Sequence, residues 1–166
     1  MIPISRPSIG DEELAEVKKD WFYSVNMLGF RYHMNNINAA IGLIQLDKLH
    51  DFLSRKKEIV ERYDDAFKGI NGIVLLKKDY EQTAFFSYIL RVKENRDEFM
   101  EFLKARGIDS GVHYIPNHLQ PFFEDDKVVL PVTEKVWQEI VTLPLYYDMT
   151  DDDVQTVIDA VCVFFE

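Results

Sequence analysis

Two charged side chains near position 30 have the type and spacing of an anion-binding turn. Arg31 and His33 alternate with Phe30 and Tyr32 just before a segment with helical periodicity. Alternation along an extended chain places the two polar side chains on one side and the aromatic rings on the other. A cation beside a helix N-terminus favours the binding of phosphate or carboxylate. The alternative is that Arg31 pairs with a surface acid of an acidic protein, and chemistry alone leaves both interpretations open.

Two histidines, His113 and His118, flank the sequence Tyr-Ile-Pro-Asn in a stretch that we predict to be partly loop. A metal site needs a third ligand at a fixed spacing on a rigid element, and no cysteine or acidic motif supplies one. The sequence contains neither a glycine-rich phosphate loop nor a G-x-S-x-G motif. Plain loop histidines are therefore the simpler interpretation, and the residues alone predict no catalytic constellation.

Adjacent carboxylates occur at four places in the chain. A general acid–base pair needs burial and contrasting environments, whereas adjacent acids are usually part of a solvated face or a helix N-terminus. We therefore expect all four runs to face solvent: Asp11-Glu12-Glu13, Asp64-Asp65, Asp125-Asp126 and Asp151-Asp152-Asp153.

The composition indicates a globular protein that does not bind polyanions. The 166 residues are 47% hydrophobic and 13% aromatic, with a formal net charge of −10. This excess of acid argues against nucleic acid and against an anionic membrane surface as partners. No apolar run approaches the length of a membrane span. The only cysteine, Cys162, predicts a small core residue and no intrachain disulfide, so we expect a cytoplasmic protein.

Helical and extended patterns alternate along the chain and must position these side chains. Asn35 or Asn36 can cap a helix, Asn95 with Glu98 resembles a capping box, and Thr150 can cap the last helix. The fold class that follows is α+β, with a short, mostly antiparallel sheet covered by helices on one side. We predict one long helix over about residues 36–68, strands over 73–76, 84–92 and 108–114, helices over 95–106, 131–141 and 150–165, and an extended segment over 141–145.

Five motifs keep their order and approximate spacing in a known family. They resemble the PLP-dependent nucleotide-sugar aminotransferases of the DegT/DnrJ/EryC1/StrS family over about residues 20–166. Residues 1–19 separately resemble the extreme N-terminus of the same family. The motifs are G-F-R-Y-H-M-N-N-I-N-A-A-I-G-L-I-Q-L-D-K-L at 29–49, R-Y-D-D-A-F at 62–67, A-R-G-I-D-S-G-V-H-Y-I-P-N-H-L-Q-P-F-F at 105–123, L-P-V-T-E at 130–134 and L-P-L-Y-Y-D-M-T at 143–150.

The resemblance implies a fold and a reaction. Residues 20–166 correspond to the C-terminal small domain of fold-type I aminotransferases, and residues 1–19 to an N-terminal arm with a short helix. The family transfers an amino group from an amino acid, here expected to be glutamate, to a keto-sugar nucleotide for polysaccharide or glycan biosynthesis. In the family a large cofactor domain, with the Schiff-base lysine, lies between these two parts.

That domain is missing at the junction of Lys19 and Asp20, which predicts an internal deletion, either natural or engineered. Lys18 and Lys19 stand in a helix candidate and not in the family's lysine motif, so an exposed helix end is the simpler interpretation. We therefore do not expect this chain alone to bind PLP or to be active. The alternative is a non-catalytic interaction module or a remnant domain.

The resemblance also suggests binding residues. The family's turn, usually G-[YF]-N-[YF]-R-M, reaches into the active site of the partner in a dimer. Arg31 stands where the Asn contacts the cofactor phosphate, and His33 stands where the Arg lies on the substrate side. His113, Tyr114 and His118 match the loop that borders the nucleotide-sugar site.

An oligomer is expected as well. Loss of the large domain would expose apolar surface, which favours association. We predict a homo-oligomer built on the helix over 36–68. A further possibility is that the chain pairs with a full-length relative as a dominant-negative partner.

Overall fold

The computed structural model describes residues 27–30, 32–123 and 128–166. The chain divides into two compact units, residues 1–40 and residues 41–166. The predicted arm, the helix candidate within residues 1–19 and the junction at Lys19 lie outside the described residues, and the predicted division into 1–19 and 20–166 stays a prediction. The elements in chain order are α1 (Asn36–Asp47), α2 (Leu49–Phe67), β1 (Ile73–Leu75), β2 (Tyr88–Val92), α3 (Arg96–Ala105), a 3-10 turn (Asn117–Leu119), α4 (Pro131–Glu139), β3 (Ile140–Leu143) and α5 (Asp151–Phe165).

The predicted long helix is present as two helices, α1 and α2, which are separated at Lys48. Lys48 keeps right-handed backbone angles, with φ −86° and ψ −8°, so the break is a local irregularity within a helical path. At the start of α1, the side chain of Asn35 accepts a hydrogen bond from Asn38 N at 2.8 Å, which confirms the predicted cap. After α2, Gly69 has a φ of 84°, which glycine adopts without steric cost and which ends the helix.

Three strands form one antiparallel sheet in the order β1-β2-β3. The predicted central strand over 84–92 is central, but ladder pairing begins only at Tyr88. Alternation along β2 buries Tyr88, Leu90 and Val92, and the residues between them remain half-buried. The register places the buried Leu143 of β3 opposite Tyr88, so one face of the sheet points into the core.

Helices α2, α3 and α5 pack against that core. Each contributes a stripe at helical spacing, and the aromatic rings of Tyr63 and Tyr88 join α2 to β2 with their centroids 4.9 Å apart. The fold class is α+β, as predicted. The fully enclosed side chains are Ile59, Val60, Tyr63, Phe67, Tyr88, Leu90, Val92, Phe99, Leu103, Val141, Val154 and Val161.

Helix α3 ends as predicted but begins differently. At its end, Gly107 N and Ile108 N donate to the carbonyls of Lys104 and Leu103, each at 3.0 Å, which is the Schellman pattern. At its start, the predicted capping box is wrong. Asn95 has a φ of 59°, and its side chain makes no cap bond. Asn tolerates this left-handed conformation, which turns its side chain away from the first turn of the helix.

The predicted strand over 108–114 is also wrong. Only Gly111 pairs with the sheet, through one antiparallel bridge to Thr142. Gly111 N donates to Thr142 O at 3.1 Å, and Thr142 N donates to Gly111 O at 2.7 Å. Ile108, at the start of this segment, donates its N–H to Leu103 O and so completes the end of α3. Only a short stretch after it can therefore lie along β3.

Helix α5 has the predicted cap and carries a cluster of charges at its start. Thr150 Oγ1 accepts from Asp153 N at 3.1 Å, and Asp153 Oδ2 accepts from Thr150 N at 2.9 Å. The Asp151 carboxylate accepts from Arg55 at 2.9 Å and from Arg62 at 2.8 Å. These two arginines therefore join α2 to the N-terminus of α5.

Two further predictions concern the single cysteine and the length of apolar helices. Cys162 is half-buried, and burial raises the pKa of its thiol, as suits a small residue at the edge of the core. Within residues 27–30, 32–123 and 128–166, no helix combines the length and the apolar character needed to cross a membrane.

Candidate functional site

The turn over 29–34 is partly described. Arg31 lies outside the described residues. Phe30 and Tyr32 are exposed, and their ring centroids lie 5.9 Å apart, which agrees with the predicted placement of both rings on one side. His33 is exposed and comes shortly before the N-terminus of α1. The predicted anion site at Arg31 and His33 stays a prediction.

His113 is held against the edge of the sheet by β3. Its Nδ1 lies 3.0 Å from Thr142 Oγ1, and the backbone of Thr142 pairs with Gly111. A Cβ placed on Gly111 would lie 2.7 Å from His113 Cε1, so the imidazole occupies the space that a larger residue would fill. The contact with Thr142 therefore fixes the ring, and the lack of a side chain at Gly111 leaves room for it.

Tyr114 is exposed over 75% of its surface. Its ring stands edge-on to the His113 ring, with centroids 4.9 Å apart and an interplanar angle of 87°. An exposed aromatic ring beside an imidazole offers a flat apolar surface and a hydrogen-bonding nitrogen in one place.

His118 is fixed by a different element. It lies in the 3-10 turn, its side chain is largely buried, and its Nε2 lies 3.0 Å from Glu134 Oε1 in the first turn of α4. Leu130 N donates to the same carboxylate oxygen at 3.2 Å. The hydrogen bond from His118, followed by that from Leu130, lowers the pKa of Glu134. Glu134 thus keeps its charge and orients the imidazole.

Both histidines are therefore anchored, and their anchors were not among the predicted site residues. Thr142 could have been found from the alternation of β3, which puts it on the face of the sheet opposite the buried Val141 and Leu143. Glu134 is the last residue of the motif L-P-V-T-E, and that motif by itself indicates no role for the carboxylate. Among the described residues, no group of three or more His, Cys, Asp or Glu side chains is arranged to hold a metal ion.

A separate polar cluster surrounds Asp64 of α2 and includes Tyr88 of β2. Its carboxylate accepts hydrogen bonds from Lys78 Nζ at 2.5 Å, from Tyr88 OH at 2.7 Å and from the hydroxyl of Tyr80. The hydrogen bond to Asp64 raises the pKa of Tyr80 to about 12, and burial together with the same carboxylate raises that of Tyr88. The expectation that the Asp64-Asp65 run is solvated holds for Asp65, which is exposed, and is wrong for Asp64.

The charges at the start of α5 are also structural. The hydrogen bond from Arg55 is the main cause that lowers the pKa of Asp151, and the bond from Thr150 lowers that of Asp153. As predicted, this acidic run forms a helix N-terminus. It shows no pairing of carboxylates in contrasting environments, which an acid–base pair would need.

Comparison with protein families gives a match over most of the chain. The model of the DegT/DnrJ/EryC1/StrS aminotransferase family matches residues 12–162. Two curated relatives match similar lengths of this chain. An uncharacterized protein of Methanocaldococcus jannaschii is 36% identical over 151 residues, which is 85% of this chain and 39% of the relative. The spore coat polysaccharide biosynthesis protein SpsC of Bacillus subtilis is 35% identical over 152 residues, again 85% of this chain and 39% of the relative.

A solved structure shows the same arrangement of elements. The sugar aminotransferase CalS13 from Micromonospora echinospora superposes with a TM-score of 0.77 at 29% identity, covering 84% of this chain and 38% of that one. This chain thus spans about two-fifths of the length of the proteins that it matches. The family match, the relatives and the shared fold agree, and the chain belongs to the DegT/DnrJ/EryC1/StrS aminotransferase family.

Proposed function

We propose that this chain supplies the small-domain part of a cytoplasmic sugar aminotransferase of polysaccharide biosynthesis. The family match over residues 12–162 carries the proposal, and the five ordered motifs support it. The proposed reaction moves an amino group from an amino acid such as glutamate to a keto-sugar nucleotide. Catalysis would then need the part of the family's length that this chain does not span.

The enclosed lysine of the described residues, Lys78, is not placed to hold PLP. A Schiff base needs a lysine amine that can lose its proton and face a cavity. Lys78 has an enclosed side chain, only 10% exposed, but its ammonium is ion-paired with Asp64 and lies 4.6 Å from the centroid of the Tyr88 ring. A lysine held in this way is a structural cation. We therefore assign no catalytic step to PLP within the described part of this chain, and we propose that the chain alone is inactive.

The proposed substrate contacts are made by the turn over 29–34 and by the loop that carries His113, Tyr114 and His118. By resemblance, Arg31 and His33 would act at the site of a partner subunit, Arg31 toward a phosphate. The anchoring of His113 on Thr142 supports a binding role, because a fixed imidazole loses little freedom when a ligand binds. The exposed ring of Tyr114 would face the nucleotide part of the sugar substrate.

A segment exchange tests this function. Residues 20–166 would replace the matching segment of SpsC, and the PLP-loaded chimera would be mixed with glutamate while the cofactor absorbance is followed. We expect conversion to the amino form of the cofactor and its reversal by a keto-sugar nucleotide. His113→Ala in the chimera should weaken the second step about tenfold, and Asp109→Ala, at an exposed position of the same segment, should change it little.

The isolated chain provides the other arm of the experiment. Mixed with PLP, it should give no lysine-dependent yellow complex. A stoichiometric yellow complex that disappears on mutation of Lys18 or Lys19 would overturn the proposed inactivity. A folded, PLP-loaded chimera that does not react with glutamate would overturn the proposed role of the domain.

A second candidate function is supported by a separate observation. Helix α1 buries none of its residues against the described chain, although most of them are apolar. This supports a non-catalytic module that forms a homo-oligomer through the long helix. Within the predicted range of 36–68, the apolar stripe of α2, including Ile59 and Tyr63, lies in the chain's own core. Only α1 and the start of α2 are therefore available to a partner.

A further inference from the structure

A groove lies between the end of α3 and one side of α5. Its volume is about 380 Å³, near the lower end of the roughly 300–1,000 Å³ that is typical of ligand pockets. The residues that α5 contributes recur at helical spacing, so they form one stripe along that helix. The groove is lined by Arg106, Ile108, Thr156, Asp159, Ala160 and Val163. None of these is among the proposed substrate-binding residues.

Arg106 presents an oriented guanidinium at one wall of this groove. Its Cζ lies 3.4 Å from the centroid of the Phe102 ring, and that ring stands edge-on to Phe164 of α5 with the centroids 5.1 Å apart. Stacking on a fixed ring limits the directions in which the guanidinium can point. Among the described residues, no acid forms an ion pair with Arg106. An oriented arginine without an acidic partner is suited to a carboxylate, which it can bind through two parallel hydrogen bonds.

Asp159 gives the same groove a negative wall. Its Oδ1 accepts a hydrogen bond from Gln155 Nε2 at 2.8 Å, one turn earlier in α5, and this contact orients the carboxylate. The carboxylate is not neutralised by Arg106, because no ion pair joins the two described side chains. Asp159 therefore attracts an ammonium group and repels a second carboxylate on the same ligand.

The floor of the groove, formed by Ile108 and Ala160, is apolar. These two residues are 6% and 5% exposed, whereas Val163 is 53% exposed and extends the apolar surface toward solvent. An aliphatic group placed on this floor would remove apolar area from water, which favours binding. The groove thus combines a cation, an anion and an apolar surface in a space that suits a small molecule.

We propose that this groove binds a free amino acid with an aliphatic side chain. Arg106 holds the carboxylate of the ligand, Asp159 holds its ammonium group, and its side chain packs on the apolar floor. The proposal goes beyond the proposed function, because glutamate, the proposed amino donor, carries a second carboxylate that Asp159 repels. An open groove covers such a ligand only in part, so we expect a dissociation constant of about 1 mM.

Titration of the full chain with L-leucine, followed by the NMR shifts of its backbone amides, tests the proposal. The shifts should saturate and should be largest at Gly107, Ile108 and residues 159–163. Isocaproate has the same carbon skeleton without the ammonium group, and isoamylamine lacks the carboxylate. Each should bind about tenfold more weakly than leucine, because each loses one charge-assisted contact. Glutamate should also bind about tenfold more weakly.

Charge variants assign the two walls. Arg106→Gln should weaken leucine binding about tenfold, whereas Lys104→Gln, which removes an exposed cation two positions away, should change it by about twofold or less. Asp159→Asn should weaken leucine binding about tenfold but should not weaken the binding of isocaproate, which has no ammonium group. This difference between two ligands cannot arise from a general defect in folding.

Three results would overturn the proposal. The first is a titration without saturable shifts in the groove up to about 20 mM leucine. The second is an Arg106→Gln variant that binds leucine like the unmodified chain. The third is glutamate binding as tightly as leucine. The SpsC chimera reports on the aminotransferase function independently of these outcomes.

Discussion

Asp64 accepts hydrogen bonds from three side chains and is the centre of the enclosed polar cluster. Lys78, Tyr80 and Tyr88 come from β2 and the chain leading to it, whereas Asp64 belongs to α2. One carboxylate thus holds the connection between β1 and β2 against a helix. The ion pair with Lys78 is enclosed, so removing one partner leaves the other charge in an unfavourable place.

Replacing this carboxylate should destabilise the protein. We expect Asp64→Ala to lower the free energy of unfolding by about 3 kcal/mol, because the Lys78 charge and two hydroxyl groups lose their acceptor. Urea titration at neutral pH measures the change. Asp65→Ala, one position along on the exposed side of α2, is the matched control and should change stability by less than about 0.5 kcal/mol. Equal losses in the two variants would contradict the assignment.

The predictability of the site differed from residue to residue. His113, Tyr114 and His118 could be selected because a motif places them in one loop, and two of the three proved to be anchored histidines. Their anchors, Thr142 and Glu134, lie 29 and 16 residues away in sequence. Such contacts depend on how β3 and α4 return to the loop, and no local pattern of residue types encodes that path.

Elements with a strong local signal were predicted well. Helical periodicity located α2 and α5, and the buried alternation of β2 located the central strand, because each pattern repeats over several turns or residues. The errors lie where two local interactions compete. Asn95 had the composition of a cap but adopts a left-handed conformation. The segment over 108–114 had strand composition but is used to end α3 and to place His113.

The start of α5 should make stability depend on acid pH. Arg55 is the main cause that holds the pKa of Asp151 below its usual value. A carboxylate whose pKa is lower in the folded state stabilises the protein fully above about pH 4, its unfolded value, and this contribution is lost as the pH falls through the folded value. Stability should therefore decline below about pH 4.

Asp151→Asn should remove part of that decline. Urea midpoints at pH 6 and at about pH 3 should differ less in this variant than in the unmodified chain, and its midpoint at pH 6 should be lower. Asp152→Asn is the matched control, since no ion pair joins its side chain to another described residue. A variant at position 151 that loses stability on acidification as steeply as the unmodified chain would contradict this role for the Arg55 contact.

At the scale of the whole molecule, the negative charge and the exposed apolar surface of α1 lie on different segments of the chain. The acid excess of the chain is carried by other segments, while the segment over 36–46 is uncharged and the helix around it is exposed. The homo-oligomer proposed above would therefore bring negatively charged bodies together through α1 without placing charges in the contact. The repulsion between them is long-range and should respond to ionic strength.

Salt should accordingly strengthen the proposed homo-oligomer. Raising NaCl from about 20 mM to about 500 mM shortens the screening length severalfold, so the dissociation constant should fall severalfold. Sedimentation at matched protein concentrations measures it. A dimer that weakens with salt would instead indicate a contact held by ion pairs.

The contacts between α2 and the segment after β3 affect how the chain can fold as it is synthesised. Tyr63 OH donates to Pro144 O at 3.2 Å, and Arg55 donates to Met149 O at 2.8 Å. These partners leave the ribosome long after α2 does, as does α5, whose packing covers the apolar stripe of α2. At translation rates of about 5–20 residues per second, α2 waits several seconds for them. During that interval its apolar stripe is open to chaperones, and a message that stops before codon 151 would yield a chain in which the part of the stripe that α5 covers stays exposed.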